Sequence, residues 1–391
     1  MSVTDALASG ETRAHLCIGC GACTSRCFLL EHLETMTPRR LVRLAGLSEE
    51  GVIRDTGFLW ACTLCARCTD DCPAGVRMEL VTQALRGRMT ADGQAPADLL
   101  EGIRVSLEIG NNSRISRQDF VETVEWLVEE MQAEPGGENA DMPLDRQGAH
   151  ILFIPNPREI LSLPMLLTAT AQVLCAAGED WTLSSRTYDI TNWAYFTGDR
   201  DAERTIAGRI IDEAARLGAG AILSTECGHG FKILRHDARD WFPDTHRFEV
   251  LSLAETFSGY LGAGRIRLDA SRNPDPVTYH DPCNLARKSG VIEPPRTVLR
   301  AAAADFREME PHGRHNWCCG AGGGVGQIGA QTPLRLRAGR RKAEQIRATG
   351  ARILVTSCQS CYQQITDLRK EHGLDIEIKS LAEMTAHALV A

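Results

Sequence analysis

The chain has 391 residues, 43% of them hydrophobic and 24% charged, with a formal net charge of −8. That length supports two or three domains, each with its own core, and the acidic balance excludes a nucleic-acid binder, which needs a basic face. The 15 cysteines read as metal ligands rather than disulfides in a chain whose start, MSVTDALASGETRAHLC, has neither the basic nor the apolar region of a secretory leader. A cytoplasmic location is expected.

Eight cysteines form two copies of one run. CIGCGACTSRC supplies Cys17, Cys20, Cys23 and Cys27, and CTLCARCTDDCP supplies Cys62, Cys65, Cys68 and Cys72. Both read C-x2-C-x2-C-x3-C, the ligand run of cubane 4Fe–4S clusters, in which the fourth thiol of each run crosses to the other cluster. The expected sets are therefore Cys17, Cys20, Cys23 with Cys72, and Cys62, Cys65, Cys68 with Cys27. A structural zinc site needs only four thiols and no three-plus-one repeat. Between the runs, TPRRLVRLAGL and SEEGVIRDTGFLW show helical spacing after Ser/Thr starts, which predicts a helical two-cluster ferredoxin domain over residues 1–95.

Residues 96–147 hold no cysteine. ISRQDFVETVEWLVEEMQ predicts a bridging helix with an acidic solvated face, and the polar stretch EPGGENADMPLDRQG places a boundary near 147. From residue 148 short apolar strands (AHILFIP, GAILST, DPVTYH, ARILVTS) alternate with helices such as DAERTIAGRIIDEAARLG and LRLRAGRRKAEQIRATG, so parallel sheets covered by helices are expected. LSLPMLLTATAQVLCAAG, broken by Pro164 and polar residues, reads as a buried helix rather than a membrane span, with Cys175 an inert core residue. RLRAGRRKAEQIR reads as a solvated basic face.

This half repeats itself. TNWAYFTGD resembles HNWCCGAGG, and LGAGAILSTECGHG parallels TGARILVTSCQSC. Aligning Gly218 with Gly350 sets Glu226 opposite Cys358 and His229 opposite Cys361; a one-residue shift pairs Cys227 with Cys358. The fold class expected is α+β multidomain: the ferredoxin domain, a helical linker, then a duplicated α/β unit over 148–265 and 266–391. Only the second copy keeps a full thiol set: Cys283, the adjacent pair Cys318 and Cys319 followed by Gly320, then Cys358 and Cys361.

That pattern resembles the cysteine-rich CCG domain of heterodisulfide reductases, found also in iron–sulfur subunits of glycolate and lactate oxidases. Joined to a two-cubane domain it resembles the D-type subunit of membrane-bound heterodisulfide reductase. It is closer still to the K subunit of the membrane complex associated with dissimilatory sulfite reductase and to related transmembrane redox complex subunits. The resemblance implies that Cys283, Cys318, Cys319, Cys358 and Cys361 hold one noncubane 4Fe–4S cluster. Gly320, Gly322, Gly323 and Gly324 would let the backbone approach it; a phosphate loop, the rival reading of GAGGGVG, lacks its lysine. With one such cluster instead of two, the resemblance implies a disulfide, trisulfide or thiol substrate on a small sulfur-carrier protein. It also implies a membrane cytochrome b-type or other redox partner, and a peripheral place on the cytoplasmic face of the membrane.

Glu226, Cys227 and His229 are the catalytic candidates, His229 as proton donor and Cys227 as thiol contact or further ligand, with His280 and Arg287 flanking Cys283. The alternative is an electron-relay subunit of a flavin-dependent 2-hydroxy acid oxidase. A relay has no need of titratable groups at ECGHG. A third reading, a zinc-bound or empty structural adaptor, does not account for a vicinal thiol pair.

Overall fold

The computed structural model describes residues 11–32, 36–47, 50–54, 57–134 and 137–390. The expectations about residues 1–10 and about a helix start at Ser48 fall outside these, as do positions 55–56 and 135–136 of the stretches quoted above.

Local rules account for the helices. Thr37 caps Pro38–Gly46, accepting from the Arg40 backbone N–H at 3.2 Å, and Leu41, Val42 and Ala45 face inward. The helix Met78–Ala91 buries Val81, Leu85 and Met89 on one face. Both cysteine runs bend in the same way. Gly19 and Gly21 flank Cys20 with positive φ, and at the equivalent places Leu64 (φ 50°) and Ala66 (φ 58°) flank Cys65. Left-handed backbone costs a non-glycine residue on the order of 1 kcal/mol or more, and such residues gather at functional sites. The second run accepts that cost to turn its thiols inward.

The segment between the halves is packed, and it holds two helices where one was expected. Ala97–Ile109 sets Gly102 under Trp193, whose ring atoms stand 2.2 Å from where a Cβ would be. Arg117–Ala133 begins with a Ser116–Asp119 capping box and buries Phe120, Val124, Leu127 and Met131; Phe120 stacks on Tyr188 with centroids 4.2 Å apart.

The second half contains two four-stranded sheets, all parallel. One is formed by β1 (Ile151–Ile154), β2 (Trp181–Thr182), β3 (Ala221–Ser224) and β4 (Glu249–Ser252) in the order β2-β1-β3-β4. After the short strand β5 (Arg267–Leu268) come β6 (Pro276–Tyr279), β7 (Asp305–Arg307), β8 (Ile353–Val355) and β9 (Glu377–Lys379), ordered β7-β6-β8-β9. The orders are the same, second-first-third-fourth. A last strand, β10 (Leu389–Val390), pairs antiparallel with β5. Each copy follows its fourth strand with a helix opened by a serine–glutamate capping box, Ser252–Glu255 in one and Ser380–Glu383 in the other.

The stretch read as one basic helix breaks at Gly339 into Thr332–Ala338 and Arg340–Thr349, because Leu368 packs where a side chain would stand, 2.2 Å from the absent Cβ. Its basic face is only partly solvated. Arg335 pairs with Asp367 at 2.8 Å, Arg341 lies 3.5 Å over the Trp317 ring, and Lys342 is 1% exposed. Cys175 is half-buried, its thiol 3.4 Å from the Asp141 carbonyl oxygen.

Candidate metal centres

Parallel sheets bind ligands beyond the carboxyl ends of their strands, at the point where the strand order reverses. In the second sheet that point lies between β6 and β8. β6 leads through His280, Asp281 and Pro282 into Cys283, and β8 leads through Thr356 and Ser357 into Cys358. Sheet topology thus carries two thiols into the crevice, and the helix Gln359–His372 adds Cys361 one turn in.

The vicinal pair comes from the loop before the glycines. Cys319 Sγ lies 3.3 Å from Cys361 Sγ, and His280, Cys319 and Cys361 hold ligand atoms within 4.8 Å of one another. Cys318 Sγ lies 3.4 Å from the Thr63 hydroxyl, and the neighbouring thiols of Cys283, Cys319 and Cys65 hold its own thiol well above the ordinary range. The five expected residues are therefore brought together, with Cys65 of the ferredoxin run reaching in from outside.

The other eight thiols fall into two sets. Cys17, Cys20, Cys23 and Cys72 line one cavity, and Cys27, Cys62, Cys65 and Cys68 line another, walled by Phe28, Phe58 and Met78. In both, the fourth thiol of one run sits with the first three of the other. Burial is the main influence on Cys27 and Cys68, raising both, because removal from water disfavours a charged thiolate.

The surroundings complement an anionic group. Arg287 donates to the Cys65 carbonyl at 2.7 Å and to the carbonyls of Arg314 and Asn316, and its charge is felt by Cys283, Cys65 and Cys318. The neighbouring Cys318 thiol and the Arg287 charge draw Cys65 down to about 5, against the burial that would raise it. Lys342 is buried, and among the described residues only the Met309 sulfur, at 3.3 Å, is its hydrogen-bond partner; its charge is felt by Cys319, Cys283 and Cys318. His280 is fully buried beside the Cys319 and Cys361 thiols, and among the described residues neither ring nitrogen has a hydrogen-bond partner. Buried cations without carboxylates, orphaned ring nitrogens and converging thiols fit an anionic thiolate-held cluster.

The glycines serve a different contact from the one expected. A Cβ on Gly322 would stand 2.6 Å from the Thr63 carbonyl oxygen, and one on Gly323 2.7 Å from that of Cys62. Gly320, at φ 111°, faces the Phe28 ring at 2.7 Å. What crowds the loop is the ferredoxin run itself.

The catalytic candidates divide. Both alignments hold in part: strand registers place Glu226 opposite Cys358, since Ser224 pairs with Ser252 and Val355 with Lys379 just before Ser380, whereas helix starts set Cys227 opposite Cys358. The Glu226 carboxylate turns away from the thiols and accepts the Leu381 backbone N–H at 2.8 Å, capping a helix of the second copy. Its backbone carbonyl accepts from Gln359 at 2.8 Å, joining the two copies at their strand ends. Cys227 stays inside, its thiol 3.5 Å from His229 Nδ1, while His229 Nε2 accepts the Asn192 backbone N–H at 3.2 Å. The ring proton therefore sits on Nδ1, facing sulfur. Burial pushes His229 down to about 3, so the ring is neutral. Cys358 receives the Gly228 backbone N–H, one residue from Cys227.

Sequence reading missed Arg86. It is fully buried and donates to four carbonyls: Leu59 at 2.8 Å, Cys62 at 2.6 Å, Phe196 at 2.8 Å and Gly323 at 2.7 Å. Its signal was an arginine on the apolar face of a helix, one position after Leu85.

Residues 13–76 match the 4Fe-4S dicluster domain family, and residues 277–366 match the Cysteine-rich domain family, CCG. The chain thus carries the sequence of an iron–sulfur dicluster domain and of a CCG domain, which supports 4Fe–4S binding and electron transfer, and its relatives are named as subunits of Hdr-like oxidoreductases and heterodisulfide reductases. Among its relatives is the Hdr-like menaquinol oxidoreductase iron-sulfur subunit 2 of Archaeoglobus fulgidus, 26% identical over 96% of this chain and 79% of that protein. A dihydromethanophenazine:CoB--CoM heterodisulfide reductase subunit from Methanosarcina mazei is 27% identical over 84% of this chain and 77% of its own length. A probable membrane-anchored ferredoxin of Chromohalobacter salexigens is 25% identical over 95% of this chain, which spans 59% of that relative. Among the described residues no helix is long and apolar enough to cross a membrane.

Proposed function

We propose that the chain is the iron–sulfur oxidoreductase subunit of a redox complex. Two cubane 4Fe–4S clusters are held by Cys17, Cys20, Cys23, Cys72 and by Cys62, Cys65, Cys68, Cys27; one noncubane 4Fe–4S cluster is held by Cys283, Cys318, Cys319, Cys358 and Cys361. When bound, the cubanes supply one-electron transfer and the noncubane cluster supplies a site for reducing or oxidising a disulfide, trisulfide or thiol. The substrate is borne by a small sulfur-carrier protein, and electrons are exchanged with a membrane cytochrome b-type or other redox subunit that holds the chain at the cytoplasmic face. The A. fulgidus relative, a menaquinol oxidoreductase subunit, supports a quinol-linked partner.

The observation that carries this reading is the packing of the second cysteine run on the vicinal pair: Cys318 Sγ lies 3.4 Å from the Thr63 hydroxyl, and Cβ atoms on Gly322 and Gly323 would meet the carbonyls of Thr63 and Cys62. The second cubane set thus abuts the vicinal pair, so no further carrier is needed between them. Arg287 holds both sides in register through the carbonyls of Cys65 and of Asn316, two residues before Cys318. Cys227 and His229 complete the crevice: the neutral imidazole points its Nδ1 proton at the Cys227 sulfur, a polarised thiol and donor pair beside which a substrate's leaving thiolate would develop charge.

The test is iron and acid-labile sulfide per chain on anaerobically purified protein, with EPR before and after a thiol oxidant. About twelve irons and a signal in the oxidised state, responsive to thiol substrate, is the expected result. About eight irons without that signal would leave an electron relay and overturn the reading.

A further inference from the structure

Between the second cysteine run, the helix Met78–Ala91 and the loop after Cys283 lies a cleft of about 560 Å3, the size of a small-molecule site. Arg77, Lys232, Arg287, Lys288 and Arg314 reach its wall, against Asp70, Glu79 and Asp237. The acids are already engaged: Asp70 by Arg314, Asp237 by Lys232 at 2.5 Å, and Glu79 by the Thr69 hydroxyl and by Arg77 at 3.6 Å. Arg287 directs its donors at carbonyl oxygens and Asn316.

That leaves Lys288. Its ammonium donates to the Tyr195 hydroxyl at 2.8 Å and sits 5.4 Å from that ring's centroid, and among the described residues no carboxylate pairs with it. Lys232 flanks the same ring at 5.1 Å. Tyr195 stands where the second copy has Cys319, since Trp193-Ala194-Tyr195 parallels Trp317-Cys318-Cys319. The first copy thus has, in place of a thiol, a tyrosine whose hydroxyl meets the Lys288 ammonium and whose ring lies beside both ammonium groups. Cys72 also lines the cleft, so a ligand there lies beside one thiol set, with Arg287 linking it to the others.

We propose that this cleft binds an oxyanion, a carboxylate or sulfur oxyanion, through Lys288, Lys232 and the Tyr195 hydroxyl. Assigning that anion to the molecule that reacts at the CCG thiols rests on the function proposed above; the binding itself does not. The test is calorimetric titration of the full-length protein at low ionic strength with sulfate, propionate, 3-mercaptopropionate and neutral 2-mercaptoethanol. The anions bind at one per chain and the neutral thiol does not. Lys288→Gln weakens them about tenfold or more, Lys288→Arg restores most of the affinity, and Lys232→Gln, which frees Asp237 into the same space, weakens them too. Circular dichroism checks that each variant folds, and Lys370→Gln, on an exposed helix face, controls for general charge.

Tighter binding of 3-mercaptopropionate than of propionate assigns the anion to a thiol substrate, and tighter binding of sulfate assigns it to a free oxyanion; both support the site. Absence of binding, or affinities unchanged in Lys288→Gln, or lost equally in Lys370→Gln, overturns it. Iron content is read separately on the same samples, so a failure of the three-cluster reading is distinguishable from a failure of the anion site.

Discussion

Replacing Arg86 by methionine keeps the bulk of a long side chain and removes every donor. Four carbonyl oxygens, from Leu59, Cys62, Phe196 and Gly323, then face a thioether. A buried acceptor left unpaired costs about 1–3 kcal/mol, so the gross loss is at least about 4 kcal/mol. Against it stands the desolvation of a guanidinium with no carboxylate, which the substitution relieves and which offsets part of that sum. Burial already holds the Arg86 guanidinium down to about 10, so the offset is real, and a net loss of about 2–4 kcal/mol is expected. That is a large share of the ~5–15 kcal/mol that stabilises a domain. The loss should be structured: the carbonyls belong to the ferredoxin run, the first sheet copy and the glycine loop, so unfolding should become multiphasic as the pieces uncouple. Urea unfolding followed by circular dichroism and by tryptophan emission, Trp60 lying 4.9 Å from the guanidinium, measures both. Arg86→Lys, with a compact ammonium in place of a planar fork, should fall between. A variant within 1 kcal/mol of the parent, unfolding in the same number of phases, refutes the idea that this side chain clasps three segments.

Three other outcomes follow from the geometry. Gly322→Ala drives a methyl into the Thr63 carbonyl oxygen at 2.6 Å and should cost about 1–3 kcal/mol, whereas Gly259→Ala, on a helix with nothing within 4 Å of its Cβ, should be neutral to stabilising by up to ~1 kcal/mol; paired thermal melts compare them. Burial pushes Glu203 up to about 7 despite Arg200 at 2.9 Å. Because the folded protein prefers its protonated form, that stability is present below the ordinary carboxyl range near pH 4.3 and is lost as pH rises through 7, by about 3 kcal/mol at most; Glu203→Gln should flatten urea midpoints measured across that window. Lys342→Met removes a buried cation beside Cys318 and Cys319 and should lower the midpoint potential of the CCG centre while leaving the cubane signals in place, as read by potentiometric EPR.

Much of the site was legible because metal ligation leaves a spacing in the chain. The two runs and the pair at Cys318 and Cys319 are local patterns, and the crossed sets of four found lining each cavity are the ones the spacing predicts. Positions whose role depends on a distant partner were not legible. Glu226 looked like a titratable group at a loop bend, and its carboxylate instead caps the helix that begins at Leu381. The glycines after Cys319 looked like room for a cofactor, and they admit carbonyls of the other cysteine run. Lys342 lies in a strongly basic helix, and only packing shows that it faces inward.

The sequence by itself determined the spacing from which a grouping of thirteen thiols is predicted, that the second half repeats with parallel sheets, and which copy kept its thiols. Each of these follows from short-range spacing or internal repetition. The tertiary structure decided what lies between the groups: Thr63 against Cys318, Arg287 across both, Arg86 under the glycine loop, and Lys288 beside Tyr195. Those contacts join residues far apart in the chain, where no periodicity records which partner a side chain meets, and only the packing of one unit against another chooses it.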